Sequence, residues 1–479
     1  MITGREKEIE TLKKFLKSKK AEFLAIYGRR RIGKTFLIHE FYKDKGVYFE
    51  ITGSNKASKK EQLKNFTREL KTLFPETEKF TDWSDAFEIL VKKIQTLDPN
   101  KKFIFFVDEL PWFASPKSGF LAALDYFWNR HFSRLPNVLL IVCGSAAHWI
   151  IKKIINDKGG LHNRLSAWVR LEPFTLLEAE NYLAHQRIDF KRKQLVELYM
   201  TFGGVAKYLT GLPTGKSVTQ IINESCFTSN GFLFSEFSKL YESLFDSSEK
   251  HMAIVRALSK KQHGLTQTDL LQAAQLQSGG TFTTVLEELE ESGFIMSTHA
   301  FGKQQKEKVF RLIDEYSLFY LTWIDEIKGG IFKNFDPEYW NKKHKTAAWY
   351  AWSGHAFENI CLKHSRNIKK ALGISGISTS DSHWQHIPKK KSDRPGAEVD
   401  LVIDRADNCI NLCEIKFCED EFEITQAYAK DLERKKAVFQ KITRTKKTVF
   451  LTMITPFGVK ENNHSIELVN QQLTIDALF

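Results

Sequence analysis

The chain has 479 residues, 42% hydrophobic, 27% charged and 13% aromatic, with 26 Gly and 11 Pro; this mix can fill cores and excludes disordered and fibrous classes, and the length suits about three domains. Lys and Arg number 71 against 58 Asp and Glu, a formal charge of +13, which favours a polyanionic partner over an acidic surface role. Six scattered cysteines exclude a dense disulfide framework, and the longest apolar runs, 103–107 and 138–142, are far shorter than the roughly 20 residues that span a bilayer. No charged and apolar cleavable leader opens the chain, so a reducing cytoplasmic setting and no membrane partner are expected.

Residues 1–170 alternate short apolar strands, at 22–27, 46–50, 103–107 and 138–143, with amphipathic helices, the order of an α/β unit with a parallel sheet. The first strand runs into Gly28-Arg-Arg-Arg-Ile-Gly33-Lys34-Thr35 and then a helix, which is GxxxxGK(S/T) in its proper strand-to-helix setting. Such a turn aims backbone N–H groups inward, the helix N-terminus favours phosphate, and Lys34 reaches the β and γ oxygens. Gly28, Gly33, Lys34 and Thr35 are thus candidate contacts for ATP or ADP, with Thr35 on Mg²⁺ directly or through water. The side chains of Arg29, Arg30 and Arg31 need not face the phosphates. The strand Phe103-Ile-Phe-Phe-Val-Asp108-Glu109 ends in two acids; Asp108 suits the Mg²⁺ shell, and Glu109 suits polarisation of the attacking water. Ser145, after the next strand, either senses the γ-phosphate, orients that water or caps the following helix. Arg164, beyond a Gly-Gly turn, is either a catalytic or sensor arginine, in its own subunit or a neighbour's, or a packing residue.

A helical lid is expected over 171–245, packed on the nucleotide core. Residues 246–315 read as three helices, at 251–259, 268–274 and 282–292, and two strands joined by a polar turn, a winged helix-turn-helix. Thr281, Thr283 and Thr284 on the third helix could touch DNA, but Glu287, Glu288, Glu290 and Glu291 would repel phosphate, while Lys303, Lys306 and Lys308 offer a non-specific wing contact. A helical linker fills 316–345.

Residues 346–479 form a second α/β domain. Here Ala397-Glu-Val-Asp400 is followed by Ile410-Asn-Leu-Cys-Glu414-Ile-Lys416. Strand alternation puts Glu414 and Lys416 on one face, and a hairpin can return Asp400 to them. Two carboxylates can hold Mg²⁺ or Mn²⁺ against a phosphodiester while the lysine positions or deprotonates water or stabilises charge. Glu358, on a preceding helix, is expected to complete the metal shell, and Gln426 is a weaker auxiliary. Solvated salt bridges are the plainer reading, but the apolar surroundings (Val399, Leu401, Val402, Ile403, Leu412) make unpaired charge costly. Lys389-Lys-Lys-Ser-Asp-Arg394 is a short basic turn. Cys409, Cys413 and Cys418 lack CxxC spacing and read as buried thiols on or beside a strand.

The stretches 28–35, 107–109, 144–145, Leu161-His-Asn-Arg164, Glu172-Pro-Phe174 and Thr201-Phe-Gly-Gly204 together resemble the archaeal-type P-loop ATPases, an AAA-related, STAND-like branch of signal-transducing ATPases, fused to domain of unknown function 234. The C-terminal part is similar to the PD-(D/E)xK restriction-endonuclease-like domains. That resemblance implies Glu358 as the helical acid, Asp400 as the strand aspartate and Glu414 with Lys416 as the ExK pair. Val399 stands where a proline often precedes the aspartate, and Leu-His-Asn-Arg stands where relatives often carry Leu-Tyr-Gly-Arg.

The fold class expected is therefore α/β: a P-loop NTPase with helical lid, a winged helix domain and a restriction-endonuclease-like domain. The leading function is an ATPase coupled to a metal-dependent DNA nuclease, with DNA as partner and self-association or a protein partner left open. The competitors are a nucleotide switch with a non-cleaving nuclease-like domain, and a DNA-binding regulator.

Overall fold

The structure is a computed structural model that describes residues 2–479 except 116, 157–162, 229, 246, 303–307, 330–335, 337 and 389–395; the side chains of 328 and 329 are likewise not described. Its contacts separate two units, Met1–Phe174 with Val205–Tyr208, and Thr175–Gly204 with Leu209–Phe479.

In the first unit, β1 (Glu22–Tyr27), β2 (Val47–Thr52), β3 (Phe103–Asp108), β4 (Val138–Gly144) and β5 (Ala167–Arg170) form one parallel sheet in the order β2-β3-β4-β1-β5. Side chains alternate between two cores. Phe23, Ala25, Phe103, Phe105, Val107, Leu140 and Val142 enter one, while Leu24, Ile26, Ile104, Phe106, Leu139, Ile141 and Cys143 enter the other. Burial on both faces explains why these strands read as unbroken apolar runs. Each large side chain so buried contributes about 1.5–3 kcal/mol. The helix Lys34–Tyr42 completes the second core with Leu37, Ile38, Phe41 and Tyr42. Strand β1 lies between β4 and β5, so the carboxyl ends of β1, β3 and β4 share one edge, where ligands of open parallel sheets bind.

The second unit begins with two of the helices expected within 171–245. Helices Leu176–His185 and Arg192–Phe202 belong to it, and their charges say why. Arg192 pairs with Glu180 and Asp476, Lys193 pairs with Glu197 and Glu419, and the Leu176 amide faces His364 Nε2 at 3.4 Å. Residues Val205–Tyr208 return to the first unit, where the Lys207 amide donates to the Arg31 carbonyl at 3.1 Å.

Within the second unit, helices Ser248–Ser259, Gln267–Ala273 and Gly280–Glu291 accompany a small antiparallel sheet of β6 (Leu265–Thr266), β7 (Ile295–His299) and β8 (Lys308–Leu312), ordered β6-β8-β7. The β7–β8 hairpin does not stand free. Ala300 bridges to His383, the Phe301 amide donates to the His383 carbonyl at 3.1 Å, and the Phe301 ring lies 5.0 Å from Phe439. Lys303 and Lys306, expected on the wing, lie outside the described residues. The acids of the third helix are partly spent inside the unit: Glu288 bonds His251 at 2.7 Å, and Glu290 accepts from the Ser297 amide and hydroxyl.

The larger sheet of this unit contains β9 (Thr379–His386), β10 (Ala397–Arg405), β11 (Cys409–Ile415), β12 (Thr448–Ile454) and β13 (Gln471–Leu473), ordered β13-β12-β11-β10-β9. Pairs β9–β10 and β10–β11 are antiparallel, and β11–β12 and β12–β13 are parallel. A parallel step needs a crossover, supplied by the helix Gln426–Thr443, which buries Ala429, Leu432 and Phe439 against the sheet. Between Val399, paired with Trp384, and Val402, paired with Ser382, the register slips by one residue. Asp400 and Leu401 thus form a β-bulge, a device that re-aims side chains. The basic turn 389–394 lies outside the described residues.

Among the described residues, no helix is long and apolar enough to cross a membrane.

Candidate functional sites

The nucleotide site starts with backbone. Gly28 has φ 148° and Gly33 has φ 92°, both in the range that favours glycine. A Cβ on Gly28 would stand 2.2 Å from the Leu171 carbonyl oxygen, so the loop also needs glycine for space. Gly33 precedes the helix Lys34–Tyr42 with no side-chain cap, which leaves the first amides of that helix to a phosphate. The Lys34 ammonium is buried and folded back, donating to the Gly28 and Arg29 carbonyls at 2.9 Å each.

The carboxyl ends of β3 and β4 supply the acids and their holders. Thr35 Oγ1 donates to Asp108 Oδ2 at 2.8 Å. Burial pushes the Asp108 carboxyl above its ordinary range, against the pull of Thr35, the Cys143 thiol and Lys34. A hydroxyl beside a carboxylate is a pair of hard oxygens, and it fits Mg²⁺. Glu109 has a left-handed backbone, φ 48°, a strained state for a non-glycine residue of the kind that gathers at functional sites. Its Oε2 accepts from the Ser145 amide at 3.1 Å and the Ser145 hydroxyl at 2.9 Å. Ser145 thus holds Glu109, a contact outside the roles expected for it. Arg164 is exposed on the way to β5, and Leu161 and His162 of its motif lie outside the described residues.

The C-terminal site is built from side chains. Lys416 Nζ lies 3.4 Å from Asp400 Oδ2 and 3.6 Å from Glu414 Oε2, so the three meet as the spacing predicts. Asp400 is fixed by the Ile415 amide at 2.8 Å. Glu414 is buried; its Oε2 receives Lys435 at 2.7 Å and the Tyr428 hydroxyl at 3.3 Å, while its Oε1 is buried with no hydrogen-bond partner. Burial and then Asp400 push the Glu414 carboxyl up, and Lys416 and Lys435 pull it back. Burial works to lower the Lys416 ammonium, yet Asp400, Tyr428 and Glu414 outweigh it and hold that ammonium above its ordinary range.

Glu358, expected to complete the metal shell, is paired with a protein cation. Glu358 gives Oε1 to Arg311 Nη1 of β8 at 2.5 Å, and both side chains are almost fully buried. A guanidinium cannot shed its charge, so it needs this carboxylate as counter-ion. Among the described residues, no three His, Cys, Asp or Glu side chains are grouped to hold an ion. Asp400 and Glu414 still fit a cation that keeps waters and binds one or two carboxylates plus substrate phosphate, and the orphaned Glu414 Oε1 suits such a use. Gln426 opens the helix that carries Tyr428 and Lys435.

Sequence reasoning missed Arg311 and Lys435. A lone arginine inside the apolar strand Lys-Val-Phe-Arg-Leu was a signal, because a buried charge implies a partner. Lys435 follows Tyr428 by seven residues, about two helical turns, hence one face.

Comparison with known proteins bears on the first 212 residues and on the chain as a whole. The family model described as an ATPase domain predominantly from Archaea matches residues 2–212. An uncharacterized protein of Methanocaldococcus jannaschii is 24% identical over 447 residues, covering 91% of this chain and 92% of the relative. An uncharacterized ATP-binding protein of the same organism is 40% identical over 47 residues, covering 10% of this chain and 80% of the relative. Among solved structures, the Walker-type ATPase of Pyrococcus abyssi is 17% identical with a TM-score of 0.48, covering 67% of this chain and 96% of its own. Residues 2–212 of this chain are an ATPase domain of the family found predominantly in Archaea.

Proposed function

We propose that ATP hydrolysis in this domain serves phosphodiester cleavage of DNA at the Asp400–Glu414–Lys416 centre. The observation that carries the proposal is the convergence of Asp400 and Glu414 on one lysine, at 3.4 and 3.6 Å, beside a β-bulge.

In the ATPase step, the turn amides from Gly28 to Gly33 and the first amides of the helix Lys34–Tyr42 bind the phosphates. Lys34 exchanges the Gly28 and Arg29 carbonyls for β and γ oxygens. Thr35 and Asp108 would hold Mg²⁺, which when bound offsets charge on the phosphates. Glu109, kept in place by Ser145, orients and polarises the attacking water. Arg164 is the candidate cation for charge developing on the transferred group. If it serves a neighbour's nucleotide, the chain must self-associate, which light scattering would detect.

In the second step, Asp400 and Glu414 would hold Mg²⁺ or Mn²⁺, which when bound stabilises charge on the scissile phosphate. Lys416 positions or deprotonates the water, or stabilises charge on the phosphate. The segment 248–312 of the second unit has the helix–strand–helix–helix–strand–strand order expected of a winged helix, with Ala300 and Phe301 after β7 held to His383 of β9, so coupling to the C-terminal sheet is the role it suits. A second reading, a nucleotide switch whose C-terminal domain grips without cutting, is favoured by one observation: Glu358 and Glu414 already have protein cations, Arg311 and Lys435.

The test is cleavage of plasmid and linear duplex by the purified protein with Mg²⁺ or Mn²⁺, with and without ATP, beside Asp400→Ala. Metal-dependent cutting lost in the variant supports the nuclease. No cutting in any condition favours the switch, and full cutting by Asp400→Ala removes the proposed centre.

A further inference from the structure

In the C-terminal centre both carboxylates already have protein cations. Two carboxylates, Asp400 and Glu414, face two ammonium groups, those of Lys416 and Lys435. A divalent cation entering this largely buried site meets both ammonium groups at short range, where Coulomb repulsion is large. One lysine has to leave the ion's path, and the two are not equally placed to do so. Lys416 sits between Asp400 and Glu414 and pairs with both. Lys435 has a second anion in reach: Asp431, one turn earlier on the same helix, has Oδ2 3.8 Å from Lys435 Nζ. Arg434 occupies the other oxygen of Asp431, donating from Nε to Oδ1 at 3.2 Å, which leaves Oδ2 for the lysine. Asp431 is also the more solvated acid, 34% exposed against 1% for Glu414.

We propose that Lys435 is a built-in counter-cation of this centre, holding Glu414 Oε2 when the ion is absent and stepping to Asp431 when a divalent cation enters. The inference rests on the reading that Asp400 and Glu414 receive such a cation. It makes Lys435 a positioning residue that sets the concentration of ion at which the centre loads. It also gives a reason for a second lysine, on a helix, beside a strand that already carries Lys416.

The test is Mn²⁺ binding to the full-length protein without nucleotide, followed by electron paramagnetic resonance of the free ion. Binding to the centre is the part lost in Asp400→Asn. Lys435→Gln is expected to tighten that part by about tenfold or more, because it removes the competing charge, whereas Lys435→Arg keeps the charge and stays within about threefold of the parent. Unchanged or weaker binding in Lys435→Gln, or equal tightening in Lys435→Arg, overturns the role of Lys435 while leaving the cation site standing. If neither the parent nor Lys435→Gln shows any Asp400-dependent Mn²⁺ binding, the cation reading fails and this inference falls with it. Correct folding of each variant is read from its circular dichroism, and the charge-keeping Lys435→Arg serves as the rescue control.

Discussion

The nucleotide site and the proposed C-terminal centre of this chain are built from different material. Around Gly28 and Gly33 the ligand groups are backbone amides fixed by a turn and a helix start, with Lys34 and Thr35 added at the end. Around Glu414 they are side chains from β10, β11 and the helix Gln426–Thr443, kept apart and in place by balanced charge. The neighbouring pair Arg311–Glu358 extends that balance to β8. A backbone site is robust to most side-chain changes but depends on glycine; a charge-balanced site is vulnerable to the loss of any one ion.

The sharpest break in that comparison is Arg311→Met. Removing one partner of a buried pair strands the other, and about 3–5 kcal/mol of stability is expected to go, read from denaturant unfolding. A loss under 1 kcal/mol would mean that Glu358 has another counter-ion. In the backbone site, Lys34→Ala is expected to slow ATP turnover by about 10²–10³ with the fold intact, because one charged donor to the phosphates is lost. Phosphate release would measure it, and normal turnover would place the nucleotide elsewhere.

A third prediction concerns pH. His364 is held neutral, donating from Nδ1 to the Ile360 carbonyl at 2.8 Å while Nε2 faces the Leu176 amide. Burial lowers its pKa to about 4, whereas the unfolded chain titrates near 6.5. Between these values the unfolded state binds the extra proton, so the contribution is complete above about pH 6.5 and is lost as pH falls toward 4. The expected slope is about 1.4 kcal/mol per pH unit for this residue. His364→Gln should flatten the acid limb of a stability-against-pH curve by one proton, and an unaltered limb would contradict the assignment. Smallest is Ser145→Ala: losing the hydroxyl while the amide still holds Glu109 is expected to cost about tenfold in turnover with ATP affinity unchanged.

The same contrast explains what could be read from sequence. The strands β1, β3 and β4 are buried on both faces, so their apolar runs announce them, and the phosphate loop is one contiguous motif. Strand β5 was missed because it is a four-residue edge with Trp168 57% exposed. Strand β9 was missed because Thr-Ser-Asp-Ser-His-Trp-Gln-His is polar, and its pairing with β10 makes it a strand. The meeting of Asp400, Glu414 and Lys416 followed from alternation in a hairpin. The diversion of Glu358 to Arg311 did not, since those residues are 47 positions apart and only packing decides which carboxylate a buried arginine takes. The partners of the helices within 171–245 were hidden for the same reason: an amphipathic helix shows that it packs, and only the fold brings Arg192 to Asp476 and Lys193 to Glu419.

The proposed function requires two distinct centres that act on phosphoryl groups, one serving the other. The direct measurement follows ATP hydrolysis and DNA cleavage side by side in the parent, Lys34→Ala and Asp400→Ala proteins. Asp400→Ala is expected to lose cleavage while keeping hydrolysis, and Lys34→Ala to lose hydrolysis and with it the ATP dependence of cleavage. Cleavage that survives Asp400→Ala, or that ignores ATP in the parent, would contradict it.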